Sequence, residues 1–198
     1  DGSLSPYEAN IALFDALKGT VDGLDDWQVE RFLVSQAVMM VFAGVPALYY
    51  NSLLAAPNHQ AGVAETGRNR TINRKKWTTM ELEERFKDSQ GVASRVLNGL
   101  TSMLALRREQ PALHPEAAQT CIDVHPRVFA LLRGEAENRQ QLLCLFNLSA
   151  EPVVLERMRL GLGSGLVLQE RFSQGSVAVG ETHIECSPYA MAWLELSS

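Results

Sequence analysis

Apolar residues recur at helical spacing in the first half of the chain and at a spacing of two in the second. A short amphipathic helix is expected over Asn10–Leu17, closing near Lys18-Gly19. Asp25 or Asp26 then offers an N-cap for a longer helix over Trp27–Ala43. Its positions Val29, Phe32, Leu33, Ala37, Met40 and Val41 form one apolar face, and Gly44 stops it. The run from Val45 to Tyr50 does not alternate, which predicts a strand buried on both faces. A helix leading straight into such a strand is the repeat unit of an α/β fold with a parallel sheet. Thr78-x-x-Glu81 is a capping box for a short helix. A long helix follows Asp88-Ser89, with Val92, Val96, Leu100, Met103 and Leu104 on one face, and Pro111 ends it near Gln110.

Beyond Pro111 the period changes to two. Expected strands are Gln119–Val124, Arg127–Leu132, Gln141–Asn147, Val153–Met158, Leu166–Gln169, Ser176–Val179, His183–Cys186 and Tyr189–Leu196. Short strands at this regular spacing, with turn signals between them, predict an antiparallel all-β domain. The chain therefore reads as an α/β part over 1–113 and a β domain over 114–198, joined near Leu113–Ala117.

Charge supports the same division. The 198 residues carry a net charge of −5. Residues 1–113 hold 12 basic and 13 acidic groups, residues 114–198 hold 6 and 10, and all four lysines lie in the first part. An acidic chain of this kind is not a general polyanion binder, so no nucleic-acid partner is expected. Cys121, Cys144 and Cys186 lack the short spacings of zinc or redox sites and read as buried, reduced thiols of a cytoplasmic protein. The run without polar side chains from Ala37 to Tyr50 is shorter than the roughly 20 residues of a membrane span. The first residues, Asp-Gly-Ser-Leu-Ser-Pro, lack the basic and apolar regions of a signal peptide. His59, His114, His125 and His183 show no HxxxH or HExxH spacing, so neither a metal nor a cofactor is expected.

Candidate chemistry concentrates in the Asn-, Gly-, Pro- and Arg-rich segment from Asn51 to Lys76. Its length, beyond about 12–15 residues, marks it as functional rather than a simple connector. It starts at the C-terminal end of the expected strand, where parallel α/β sheets place their active sites. Arg68, Arg70, Arg74, Lys75 and Lys76 cluster here beside Trp77. Three readings stay open from the residues themselves: a solvated face, a nucleic-acid patch, or a small-ligand site in which guanidinium forks hold hydroxyls, carboxylates or phosphate. Gly161-Leu-Gly-Ser-Gly165 imitates a phosphate loop, but β-type sequence on both sides makes it a turn.

Several of these stretches together resemble the end of an α-amylase-superfamily enzyme (glycoside hydrolase family 13), in its sucrose phosphorylase-like subgroup. Gly44-Val-Pro-Ala-Leu-Tyr-Tyr50 is similar to the G-[IV]-P-x-x-Y-Y of that superfamily's eighth barrel strand. Asn69-Arg-Thr-Ile-Asn-Arg74 resembles the G-R-x-I-N-R stretch that follows it. Tyr7-Glu8-Ala9-Asn10 with Phe14-Asp15-Ala16-Leu17 resembles the segment before the seventh helix, and Leu106-Arg-Arg-Glu-Gln-Pro-Ala-Leu113 fits the same family end. The fold this implies is the C-terminal part of a (β/α)8 TIM barrel followed by an antiparallel β-sandwich domain.

The resemblance also implies a function: transfer of a glucosyl group from an α-glucoside to phosphate by retaining double displacement. Its catalytic carboxylates would lie upstream of Asp1, so no catalytic residue is expected within the chain, and the chain by itself is expected to be inactive. Arg70 matches the arginine that holds the transferred sugar. Tyr7 matches a tyrosine of a mobile loop near the phosphate or acceptor site. Glu8 stands where sucrose phosphorylases have glutamine. A carboxylate accepts hydrogen bonds but cannot donate them, which brings in sister activities such as glucosylglycerate phosphorylase. A stand-alone carbohydrate- or protein-binding β module is the alternative of another class. Apolar faces meant for absent barrel neighbours lead to an expectation of self-association.

Overall fold

A computed structural model describes residues 9–135, 140–162 and 166–197. Its elements in chain order are α1 (Leu13–Ala16), β1 (Gly19–Thr20), β2 (Gly23–Leu24), α2 (Gln28–Val41), α3 (Tyr50–Leu53), α4 (Gln60–Thr66), a 3-10 turn (Asn69–Asn73), α5 (Thr79–Phe86) and α6 (Val92–Arg108). A 3-10 turn at Pro111–Leu113 leads into β3 (Gln119–His125), β4 (Val128–Gly134), β5 (Gln141–Asn147) and β6 (Val153–Glu156). After a 3-10 turn at Arg157–Leu160 come β7 (Val167–Gln174), β8 (Val177–Val179), β9 (His183–Cys186) and β10 (Met191–Ser197). The chain forms two compact units: Asp1–Val29 with Leu48–Asn98, and Glu30–Ala47 with Gly99–Ser198.

The second unit is built on two antiparallel sheets, of order β3-β4-β5-β10-β7 and β6-β9-β8. Their facing sides share one core. Ala130, Leu143, Leu145, Ala192 and Leu194 of the larger sheet meet Val153, Leu155, Ile184 and Cys186 of the smaller. The buried residues of β6 and β9 alternate along each strand, the period-two pattern of a sheet buried on one face. Strand β5 is buried on both faces and pairs with β4 and β10 on either side. Within this unit Gly99 lets α6 approach α2 closely, because a Cβ there would sit 2.9 Å from Leu33 Cδ2. Arg107 Nε donates to the Met40 carbonyl at 2.8 Å, near the end of α2.

The first unit is built mainly of short helices and turns. α1 is a single turn rather than the eight residues expected, and a two-residue hairpin, β1 with β2, follows it. The capping box forms as read: Thr78 Oγ1 accepts from the Glu81 N–H, and the Glu81 carboxylate accepts from the Thr78 N–H at 2.8 Å.

Three expectations need correction. Residues 45–49 are not a buried strand: they pair with nothing in a sheet, and Val45 is 82% exposed. A parallel strand is defined by the neighbours that bond both its edges, and none of the described strands lies beside this segment. Cys121 is exposed on edge strand β3, whereas Cys144 and Cys186 are buried thiols. Burial pushes the Cys186 thiol up to about 11. The strand expected over Val153–Met158 stops at Glu156, where Arg157–Leu160 tightens into a 3-10 turn closed by Gly161 at φ 70°.

Candidate functional site

The segment after Tyr50 is held by polar clasps. Tyr49, Tyr50 and Asn51 reach together toward two backbone carbonyls, those of Asn73 and Lys75. Tyr49 Oη donates to the Asn73 carbonyl at 3.0 Å, and Tyr50 Oη donates to the Lys75 carbonyl at 2.9 Å. Asn51 Nδ2 donates to both, at 3.2 Å each. Its Oδ1 accepts from Trp77 Nε1 at 2.8 Å. Asn51 is only 4% exposed, so these bonds form away from water, where a missing partner is costly. Each carbonyl receives two donors, which matches its two lone pairs.

The middle of the segment is fixed by tight backbone contacts. The His59 N–H donates to the Ile72 carbonyl at 2.7 Å, joining the start of α4 to the 3-10 turn. The His59 ring occupies the space above Gly62, where a Cβ would come within 2.3 Å of it. Asn58 ties the segment to α1: its Oδ1 accepts from the Ala12 N–H, and its own N–H donates to Asp15 Oδ2, both at 2.7 Å. Asp15 is thus a structural acceptor. Arg85 caps the end of α3 by donating to the carbonyls of Leu54 and Ala55, the latter residue at φ 47°.

This frame sorts the basic cluster into two groups. Lys75 turns inward, 2.8 Å from Glu81 and 3.9 Å from the centre of the Trp77 ring, while Arg85 lies over the same ring at 5.0 Å. The Lys75 ammonium, followed by the Thr78 N–H, holds the Glu81 carboxyl down at about 2. Arg68, Arg70, Arg74 and Lys76 are exposed, with Arg70 inside the 3-10 turn Asn69–Asn73. Tyr7 and Glu8 lie outside the described residues. Beside the clasp, a cleft of about 290 Å³ is lined by Ala12, Phe14, Tyr49, Asn51, Ser52 and Asn73 among others.

Of the three site residues that the resemblance implies, Tyr7, Glu8 and Arg70, Arg70 alone falls in the described part. Tyr49 and Tyr50, at the end of the run expected as a buried strand, are hydrogen-bond donors. Asn51, Asn58 and Arg85 carry the frame and were not singled out in the sequence. The one available signal was an amide directly after an apolar run, where a polar group must find partners. Among the described residues, no group of three or more His, Cys, Asp and Glu side chains could hold a metal ion, and no helix is long and apolar enough to cross a membrane.

No protein-family model matches the chain. It is 32% identical over 190 residues to a glucosylglycerate phosphorylase of Allomeiothermus silvanus, a match that covers 96% of this chain and 31% of that protein. This chain belongs to the sucrose phosphorylase-like subgroup of the α-amylase superfamily. A sucrose phosphorylase of Bifidobacterium adolescentis is 27% identical over 121 residues, covering 61% of this chain and 21% of that one. Among solved structures, a trehalulose synthase mutant in complex with Tris superposes with a TM-score of 0.60 at 16% identity, over 94% of this chain and 42% of its own. The fold is accordingly that of the C-terminal part of a (β/α)8-barrel enzyme with its antiparallel β-sandwich domain. The chain spans less than a third of the length of the curated phosphorylases it matches. In this subgroup member, then, the clasped segment carries Arg70 on an exposed 3-10 turn.

Proposed function

We propose that the chain is the C-terminal part of an α-glucoside phosphorylase whose substrate is a glucosylglycerate, with residues 1–113 completing the barrel and 114–198 forming the β domain. The observation that carries this reading is the similarity to a glucosylglycerate phosphorylase over nearly the whole chain, against a weaker and shorter match to a sucrose phosphorylase. In the proposed reaction a carboxylate from the preceding part of the protein attacks the anomeric carbon. The glycosidic C–O bond breaks, and a second carboxyl protonates the departing oxygen. A phosphate oxygen then displaces the carboxylate from the glucosyl ester, leaving α-glucose 1-phosphate with retained configuration. Arg70 would hold glucosyl hydroxyls through its fork of N–H donors.

Tyr7 and Glu8 would border the phosphate and acceptor side. Glu8 repels an anionic acceptor unless cations offset it, and the exposed Arg68, Arg74 and Lys76 supply that charge close in sequence to Arg70. The protein works in the cytoplasm in this reading, with no resident metal or cofactor. The test is phosphorolysis by the full-length protein that carries these residues. It should form α-glucose 1-phosphate from phosphate and an α-glucosylglycerate, and the 198-residue chain by itself should form none. Release of free glucose without phosphate ester would overturn the phosphorylase reading. Turnover by the 198-residue chain would overturn the placement of the catalytic carboxylates outside it. Saccharide binding that survives deletion of residues 1–113 would favour a stand-alone binding module.

A further inference from the structure

We propose that Asn51 is a positioning residue for Arg70, acting through the two carbonyls that it shares with Tyr49 and Tyr50; this rests on the phosphorylase reading of the site. The segment between Asn51 and Trp77 has its two ends brought together by one side chain. Asn51 Nδ2 spans the carbonyls of Asn73 and Lys75 at 3.2 Å each, and Oδ1 holds Trp77 Nε1 at 2.8 Å. Both donor hydrogens and the acceptor are engaged, so the amide has one orientation and the chain around it one register. Arg70 sits in the five-residue 3-10 turn that ends at Asn73, the residue whose carbonyl Asn51 and Tyr49 share. A shift of that carbonyl therefore moves the base of the turn that presents the guanidinium.

At the opposite end of the turn, Thr66 Oγ1 lies 3.0 Å from Thr71 Oγ1. Arg68 enters it in extended conformation without a side-chain cap, and its N–H reaches Thr66 Oγ1 at 3.3 Å. Asn51 and its two tyrosines hold the turn from the C-terminal side, where Asn73 ends it. A catalytic group displaced by about 1 Å loses on the order of a hundredfold in rate, so a modest loosening here has a large kinetic effect.

The experiment combines Asn51→Ser with Arg70→Ala in the full-length protein and adds limited trypsin digestion of the 198-residue chain. Asn51→Ser should lower kcat/KM for α-glucosylglycerate about tenfold in the natural background and less than about twofold in the Arg70→Ala background. It should also speed cleavage after Arg70 and Arg74 about tenfold in the chain, where no activity is involved. Tyr49→Phe removes one of the two donors on the Asn73 carbonyl with little change of shape and should act in the same direction, more weakly. It serves as the working variant if Asn51→Ser does not fold. Equal losses in both backgrounds, or unchanged cleavage with either variant, would overturn the inference. An Arg70→Ala variant with full activity would instead overturn the reading of the site, and the cleavage result would then still decide whether Asn51 places the turn.

Discussion

The two units of this chain are stabilised in different ways. In the unit containing residues 99–198, order comes from a contiguous apolar core between two sheets, with Leu143, Leu145, Ile184 and Leu194 fully buried. In the unit containing residues 48–98, order comes from side chains that capture backbone carbonyls: Asn51, Tyr49, Tyr50 and Arg85. Burial is non-directional and tolerates sliding, whereas a hydrogen-bonded clasp fixes atoms at one distance. On the role proposed for Arg70, the reacting surface goes with the directional bonds rather than with the apolar core. The exposed turn bearing Arg70 lies in the clasped unit, and the contiguous apolar core lies in the other.

Substitutions can break that contrast, beginning with the largest effect. Leu145→Ala, within the shared core of the two sheets, should cost about 3 kcal/mol in urea unfolding. A cost below about 1 kcal/mol would show that the core is not the main source of stability in that unit. Asn51→Leu keeps the volume and removes every polar contact of the clasp. It should cost about 2 kcal/mol, with protection from hydrogen exchange lost around residues 73–77 and kept in β5. Equal loss in both places would mean that the units unfold as one.

Arg133→Met tests an exception inside the β unit. The Arg133 guanidinium is fully buried, donating to the His114 carbonyl at 2.8 Å and to Gln119 Oε1 at 3.2 Å, while its Nε has no partner among the described residues. Burial pulls its pKa down, so the charge is held at a cost. Replacement by an apolar side chain of similar length should leave stability unchanged or raise it by about 1 kcal/mol.

The smallest effect is acidic. Glu81 is held at about 2, against an ordinary carboxylate near 4.5, chiefly by its hydrogen bond with Lys75. A depressed carboxylate contributes stability above its unfolded value and loses it as pH falls through the folded one. The Glu81 contribution should therefore fade between pH 4.5 and 2, and Glu81→Gln should flatten the unfolding midpoint over that window. An unchanged slope would show that Lys75 and Trp77 place the segment without Glu81.

The same contrast explains how much was legible in the sequence. Strand β9 was expected at its observed limits because alternating burial writes a period of two into its residues, and β5, buried on both faces, because its apolar run is bounded by Gln141 and Asn147. Thr78 and Glu81 announced their own capping box. The basic cluster around Arg70 is visible in the residues themselves, and only the resemblance of Asn69–Arg74 to a known stretch picks Arg70 out of it. The clasp was not legible, because Asn51 meets partners 22 to 26 positions away and no local pattern encodes such a distance. The segment 45–49 shows the converse. Its apolar run predicts a buried strand, but a strand needs neighbours, and here Val45 is exposed. If that exposed segment associates, sedimentation of the 198-residue chain will show oligomers rather than a monomer, and Val45→Ser will shift them toward monomer.

The choice of the full-length protein between two α-glucosides decides whether its acceptor is glycerate. With phosphate present and α-glucosylglycerate and sucrose supplied together at equal concentration, glucose 1-phosphate should come at least about tenfold faster from the glucosylglycerate, the discrimination expected when buried polar groups are matched to one acceptor. Preferential consumption of sucrose, or formation of glucose 1-phosphate from neither, would contradict it.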